Sequence, residues 1–146
     1  RDLPSYEELV FCGFGGPMYR VDDILWLCDE LKQRVPGLPP IRINTNGHAN
    51  LIHGRDVTPL LKGRIDALSI SLNASTPERY VAVTHPRDGV PAWEAMLDFT
   101  KKACRYVPKV ILTIVDRDSS PAELAACRAL AQELGAALRV RAYISE

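Results

Sequence analysis

The fold of this chain turns on Ala67-Leu68-Ser69-Ile70-Ser71-Leu72-Asn73. Leu68, Ile70 and Leu72 alternate with Ser69, Ser71 and Asn73, the period of two that a β-strand imposes on its two faces. One face is therefore oily and the other polar. The same split recurs upstream in Ile41-Arg42-Ile43-Asn44-Thr45-Asn46, where Arg42, Asn44 and Asn46 form the polar set. Downstream, Arg139, Arg141 and Tyr143 face away from Leu138, Val140, Ala142 and Ile144. Strands buried on both sides, as in a doubly wound sheet, would read as continuous apolar runs instead.

Around these strands lie stretches of helical period. Leu9 to Phe14 reads as a first strand, followed by a helix near residues 22–35 whose inward stripe is Ile24, Cys28, Leu31 and Val35, stopped by Pro36-Gly37. After the second strand a Gly- and His-containing loop leads to a short helix around 57–62. Thr76-Pro77-Glu78 supplies a cap and a first-turn proline for another helix. A longer helix near 91–106 points Ala92, Met96, Phe99, Ala103 and Tyr106 inward and precedes a strand from Val110 to Asp116. Ser120-Pro121-Ala122-Glu123 reads as a capping box opening a last helix, with Gly135 as its stop. Five strands separated by helices imply a parallel sheet of right-handed βαβ units. If the oily face receives the helices, the polar face lines a concave interior. The expected fold is α/β, a partial (β/α) barrel of parallel strands forming one domain over 1–146. A closed eight-unit barrel needs roughly 250 residues.

Charge and composition narrow the function. The 146 residues hold 18 basic and 18 acidic side chains, so the formal net charge is zero, and the electrostatic case for a nucleic-acid or anionic-membrane partner falls away. No apolar run approaches the roughly 18 residues of a membrane span. The sequence begins at Arg1 in a polar, Pro-containing stretch without the apolar centre of a secretory signal, which leads us to expect a missing upstream segment. Cys12, Cys28, Cys104 and Cys127 are too widely spaced for a zinc ribbon, a redox dithiol or an iron–sulfur loop. This chain alone is expected to ligate no cluster. The last three cysteines fall on apolar helical faces, as small buried hydrophobes would, and a reducing, cytoplasmic setting is expected.

In a sheet of this kind ligands bind at the carboxyl ends of the strands. Those ends read Phe11-Cys12-Gly13-Phe14-Gly15-Gly16-Pro17, then Asn44-Thr45-Asn46-Gly47-His48, then Ser71-Leu72-Asn73-Ala74. Gly13, Gly15 and Gly16 let backbone approach a ligand closely, and amides exposed in such a turn bind anionic groups. Together the segments resemble the radical SAM superfamily, whose first strand after the cluster loop ends in a Gly-x-Gly-Glu-Pro type motif, here Gly13 to Pro17, and whose next often ends in Thr-Asn-Gly, here Thr45-Asn46-Gly47. A Ser-hydrophobic segment such as Ser69-Ile70-Ser71-Leu72 is also common there. Phe11 to Pro17 with Tyr19-Arg20, and the run Arg42 to Ile52 continuing to Gly54-Arg55-Asp56, look more narrowly like the TatD-linked radical SAM proteins.

The resemblance implies a partial barrel, truncated at its N-terminus, that binds S-adenosylmethionine (SAM) beside a 4Fe-4S cluster and cleaves it to a 5′-deoxyadenosyl radical. By position, Gly13, Gly15, Gly16 and Pro17 would meet the methionine amino group, and Ser71 and Asn73 the ribose or the methionine carboxylate. Asn44, Asn46, Thr113, Arg139 and Arg141 would line the interior, the arginines suiting an anionic group of a small-molecule substrate. Two departures stand out. The family's three clustered cysteines would lie before Arg1, and Gly16 replaces the motif's glutamate, removing a charge-assisted hydrogen bond of about 1.5–3 kcal/mol.

Two other readings remain open at this point. One is a non-catalytic remnant or fragment with a polar ligand-binding barrel face. The other is a metal-dependent hydrolase using His48 and His53 near Asp56, although the expected metal ligands in this chain are none, because that loop spacing is not a recognised ligand pair. The turn His85-Pro86-Arg87-Asp88-Gly89 reads first as a solvated loop, the alternative being a border of the site's mouth. The first strand, left at an edge, is expected to favour self-association.

Overall fold

Strands and helices alternate in chain order in the computed structural model, which describes residues 8–11, 20–116 and 120–142. The elements are β1 (Leu9–Phe11), α1 (Val21–Arg34), β2 (Ile41–Thr45), α2 (Ala49–His53), a 3₁₀ turn (Thr58–Leu61), β3 (Ala67–Ser71), α3 (Pro77–Thr84), α4 (Val90–Ala103), β4 (Lys109–Asp116), α5 (Pro121–Leu134) and β5 (Ala137–Ala142). All four pairings are parallel, and the strands lie side by side in the order β1-β2-β3-β4-β5. The α/β class and the all-parallel sheet expected from the alternation are both present.

The sequential order has a geometric consequence. Parallel crossovers are right-handed, so four steps in one direction carry every connecting helix to the same face, whereas a doubly wound sheet reverses direction at a switch point. Burial follows this division along its edges. Ile41, Ile43, Leu68, Ile70, Leu72 and Leu112 are wholly buried under α1, α3, α4 and α5, whereas Arg42, Asn44, Ser71 and Thr113 on the other face are only half-buried and Ala67, Ser69 and Ile111 at the middle of that face are buried too. The helices contribute Val21, Ile24, Leu25 and Cys28 from α1, Tyr80 from α3, Ala92, Trp93, Met96, Phe99 and Ala103 from α4, and Cys127 and Ala131 from α5. Each large side chain in this layer stabilises the fold by about 1.5–3 kcal/mol.

Local signals explain most boundaries. Thr76 Oγ1 accepts from the Arg79 amide at 3.2 Å and Ser120 Oγ from the Glu123 amide at 3.1 Å, so both expected N-caps are made. The capping box at Ser120 is realised differently: the Glu123 carboxylate accepts from the Ser75 amide at 2.9 Å and from the Ser75 hydroxyl, and pairs with Arg79 at 3.2 Å. It thereby ties the loop after β3 to the start of α5. Gly135, with φ +87°, ends α5 in the left-handed conformation. Where the sequence suggests a loop after β2, the chain forms the single-turn α2. The short helix expected at 57–62 is the 3₁₀ turn, and Asn46, Leu72 and Asn73 fall just beyond their strands.

Cys28 and Cys127 are buried and Cys104 half-buried, as expected of small hydrophobes on helical faces. Burial raises all three thiols, Cys127 to about 11, so they are protonated at neutral pH. β1 and β5 are the edges of the described sheet; the expected edge strand is seen over Leu9–Phe11, and Cys12–Phe14 lie outside the described residues. Among the described residues no helix is long and apolar enough to cross a membrane.

Candidate functional site

Parallel strands deliver their carboxyl ends to one rim of the sheet. β2 leaves through Asn46-Gly47-His48, a turn held by its own side chains: Thr45 Oγ1 accepts from the Gly47 amide at 3.1 Å, and Asn46 Oδ1 from the His48 amide at 3.0 Å. Gly47 has φ +80°, and a Cβ there would stand 3.0 Å from Met96 Cγ and 3.1 Å from Ile70 Cγ2. Only glycine lets the turn press against α4 in this way. β3 leaves through Leu72 and Asn73, whose amides both reach the Thr113 carbonyl, at 2.9 and 3.3 Å. Asn73 itself takes a left-handed conformation with φ +64°, which asparagine tolerates better than other side chains.

Between these two strand ends and α3 opens a cleft of about 690 Å³. Asn46, Ser71 and Asn73 form its polar inner wall, His48, Tyr80 and Thr84 a second wall, Arg87 and Asp88 one side of the opening, and Leu51, Ile52 and Val83 an apolar rim. His48 Nε2 lies 2.8 Å from the Tyr80 hydroxyl, and the Tyr80 ring rests on Trp93 with centroids 5.3 Å apart. Burial pushes the Tyr80 phenol up to about 12. Burial also lowers the His48 imidazole below its ordinary 6.5, with Asp88 pulling weakly the other way. Both side chains are therefore uncharged at neutral pH. The cleft is neutral and polar inside, with one charge of each sign at its opening.

Of the residues singled out from the sequence, Asn46, Ser71 and Asn73 meet in the cleft. Asn44 lies on the helix-free face beside Ser69, and Thr113 lies on that face between Ser71 and Arg139, its hydroxyl 3.5 Å from the Ile70 carbonyl. Arg141 stands farther out, beside Val115 on the edge strand, and is exposed like Arg139. None of these four lines the cleft. Gly13, Gly15, Gly16 and Pro17 lie outside the described residues.

The turn at 85–89 does border the opening, through Pro86, Arg87 and Asp88. Tyr80, with Val83 and Thr84 on the same helix, is a lining residue that sequence reasoning missed. It sits 32 positions from its partner His48 and has no local signature; only the phase that Thr76 sets for α3 could have pointed to it.

His48 and Asp56 serve separate arrangements. Asp56 Oδ1 accepts from the Thr58 amide at 3.0 Å, the Thr58 hydroxyl at 2.6 Å and Asn50 Nδ2 at 3.0 Å. Burial raises the Asp56 carboxyl, but the hydrogen bonds from Thr58 and Asn50 outweigh it and hold the group below the usual carboxylate value. Asn50 Oδ1 also accepts from the Val57 amide at 2.7 Å, so this set clips α2 to the 3₁₀ turn. Among the described residues no group of three His, Cys, Asp or Glu side chains is arranged to hold a metal ion. A scan against protein-family models matched none, and no curated protein matched the chain.

Proposed function

We propose that the cleft binds SAM and that this chain is the cofactor-binding part of a radical SAM enzyme built on a partial (β/α) barrel. The observation that carries this reading is convergence: Asn46, Ser71 and Asn73, named from two separate strand-end motifs, line one cleft of about 690 Å³, a volume suited to a nucleoside-sized ligand. The chemistry of the wall fits the molecule. The Ser71 hydroxyl and the Asn73 side-chain amide can bond ribose hydroxyls or the methionine carboxylate. Asn46 keeps its amide NH₂ for the ligand, its Oδ1 being engaged by His48. Leu51, Ile52 and Val83 suit the faces of an adenine ring. A neutral His48 does not repel the sulfonium cation. When bound, SAM supplies reductive cleavage at that sulfonium; the residues named here bind and orient it.

The 4Fe-4S cluster of that family is a different matter. Cys28 and Cys127 are sealed in the helix layer and Cys104 lies at the end of α4, so the described cysteines do not fit a cluster beside the cleft. A cluster there would need other ligands. Gly16, in place of the motif's glutamate, favours a second reading, a barrel face that binds SAM or another polar ligand without radical chemistry.

Calorimetric titration of the chain with SAM tests the first reading. SAM is expected to bind, and Ser71→Ala and Asn73→Ala each to weaken it by about three- to tenfold, the worth of one hydrogen bond. Absence of binding, or binding indifferent to both substitutions, would overturn it. Anaerobic reconstitution with iron and sulfide is expected to give no cluster EPR signal on this chain. If Gly16→Glu tightens SAM binding tenfold or more, the natural glycine has weakened the cofactor site and the second reading gains.

A further inference from the structure

The helix-free face holds an arrangement that the cleft does not use. On β2, Arg42 shares that face with Asn44; on β3, Ala67, Ser69 and Ser71 share it; the register sets Arg42 beside Ala67 and Asn44 beside Ser69. Ser69 is 9% exposed, and its Oγ is sealed from solvent without a hydrogen-bond partner among the described residues. Arg42 Nε, on the adjacent strand and two residues out of register with Ser69, is also sealed and, among the described residues, also unpartnered. Two buried donors left unmet on neighbouring strands work against stability, and such a cost is characteristic of a site arranged for a ligand.

The guanidinium shows which ligand. Nε and Nη2 lie along one edge of the group, the edge that a carboxylate spans with two parallel bonds. Glu8 reaches only one of the two positions, its Oε1 lying 3.1 Å from Nη2. Glu8 is the more exposed partner, with 36% of its side chain accessible against 21% for Arg42, so the pair is weak and replaceable. We propose that Arg42 and Ser69 form a subsite for the carboxylate of a small organic acid, held side-on by Nε and Nη2 and accepting the Ser69 hydroxyl, with Glu8 as the group it displaces. The surrounding charge agrees: strand alternation places Lys109, Arg139 and Arg141 on the same face, and among the described residues Glu8 is the one carboxylate paired to Arg42. A phosphate, with three acceptor oxygens and close to two charges, exceeds one half-neutralised guanidinium edge and one hydroxyl. The inference goes beyond the SAM reading and does not rest on it.

The test is titration of the full chain with sodium acetate at constant ionic strength, observing the arginine ¹H–¹⁵Nε signals, with acetamide and phosphate as parallel probes. Acetate is expected to shift the Arg42 Nε signal saturably and acetamide to leave it in place. Ser69→Ala should weaken acetate about tenfold without lowering the melting temperature of the free protein, because it deletes an unmet hydroxyl. Glu8→Gln should tighten acetate by removing its competitor, and Arg42→Lys, which keeps the charge but lacks Nε, should abolish the effect. Three outcomes would overturn the proposal: an Arg42 signal indifferent to acetate, phosphate binding more tightly than acetate, or a Ser69→Ala protein that loses stability yet keeps its acetate affinity. SAM titration of the same samples reads the cleft separately, so either reading can fail alone.

Discussion

Along β2 and β3, Ile41, Ile43, Leu68 and Ile70 are completely buried beneath the helices, while Arg42, Asn44 and Ser71, their immediate neighbours in sequence, stay half-exposed on the opposite face. The polar atoms of the covered side are satisfied locally: Thr45 Oγ1 by the Gly47 amide, Thr100 Oγ1 by the Met96 carbonyl at 2.8 Å. On the open side, Ser69 Oγ and Arg42 Nε have no partner among the described residues. One face is closed to further interaction and carries the stability. The other retains unfilled hydrogen-bonding capacity, which is what a binding surface needs and a core avoids.

Adjacent residues of β4 put this contrast to its hardest test. Leu112 is 0% exposed within the helix layer, and Leu112→Ala should cost about 2–5 kcal/mol in urea-induced unfolding, through lost burial and the cavity left behind. Thr113 faces the other way with a hydroxyl contact of only 3.5 Å, and Thr113→Ala should cost under about 1 kcal/mol. Comparable losses at the two positions would mean that both faces are core, and the division into a stabilising and a binding side would be gone.

Much of this division was legible before any coordinates. The alternation at 41–46 and 67–73 identifies both faces because side-chain direction in a strand depends on nothing but the pleat. The caps at Thr76 and Ser120 are equally local, and both are made. What was not legible depends on distant parts of the chain. The five residues of α2 are too few to show a helical period, and their turn is held by Asn50 reaching Val57 and Asp56. Glu123 satisfies the spacing of a capping box, yet its carboxylate goes 48 positions back to Ser75. The cleft itself was half-legible: its strand-end residues announce themselves by position, whereas Tyr80 and Val83 enter only because α3 folds back over the rim.

Gly47 sits where the two regions meet, with its turn forming the cleft and its α-carbon against the core. Gly47→Ala combines a left-handed φ of +80° with a methyl group 3.0 Å from Met96 Cγ and 3.1 Å from Ile70 Cγ2. It should cost about 1–3 kcal/mol, as strain and overpacking do, and should also reduce ligand binding in the cleft by tilting Asn46 and His48. Gly54 has a similar φ of +65° but nothing within 4 Å of the added carbon, so Gly54→Ala separates backbone strain from crowding. Equal stability losses in the two variants would show that Met96 and Ile70 give way freely and that the cleft floor is softer than the core beneath it.

The smallest effect concerns the charge state of the cleft wall. His48 has its folded pKa lowered below 6.5 by burial, whereas in the unfolded chain it returns to about 6.5. The folded protein therefore binds fewer protons than the unfolded one in the interval between those two values, and stability falls as the pH drops through it. Above 6.5 this group has no effect. Asp29, held down chiefly by its hydrogen bond from Arg64, and Asp56 both have folded values below the ordinary 3.8 and act only in more acid solution, outside that interval. Melting temperatures from pH 7.5 to pH 5.5 should decline more in the natural protein than in His48→Gln, which leaves a polar group facing Tyr80. Saturating SAM should steepen the natural protein's decline, because a sulfonium in the cleft opposes a second cation on its wall. Identical profiles with and without SAM would place the ligand away from His48 and detach the cleft from the SAM reading.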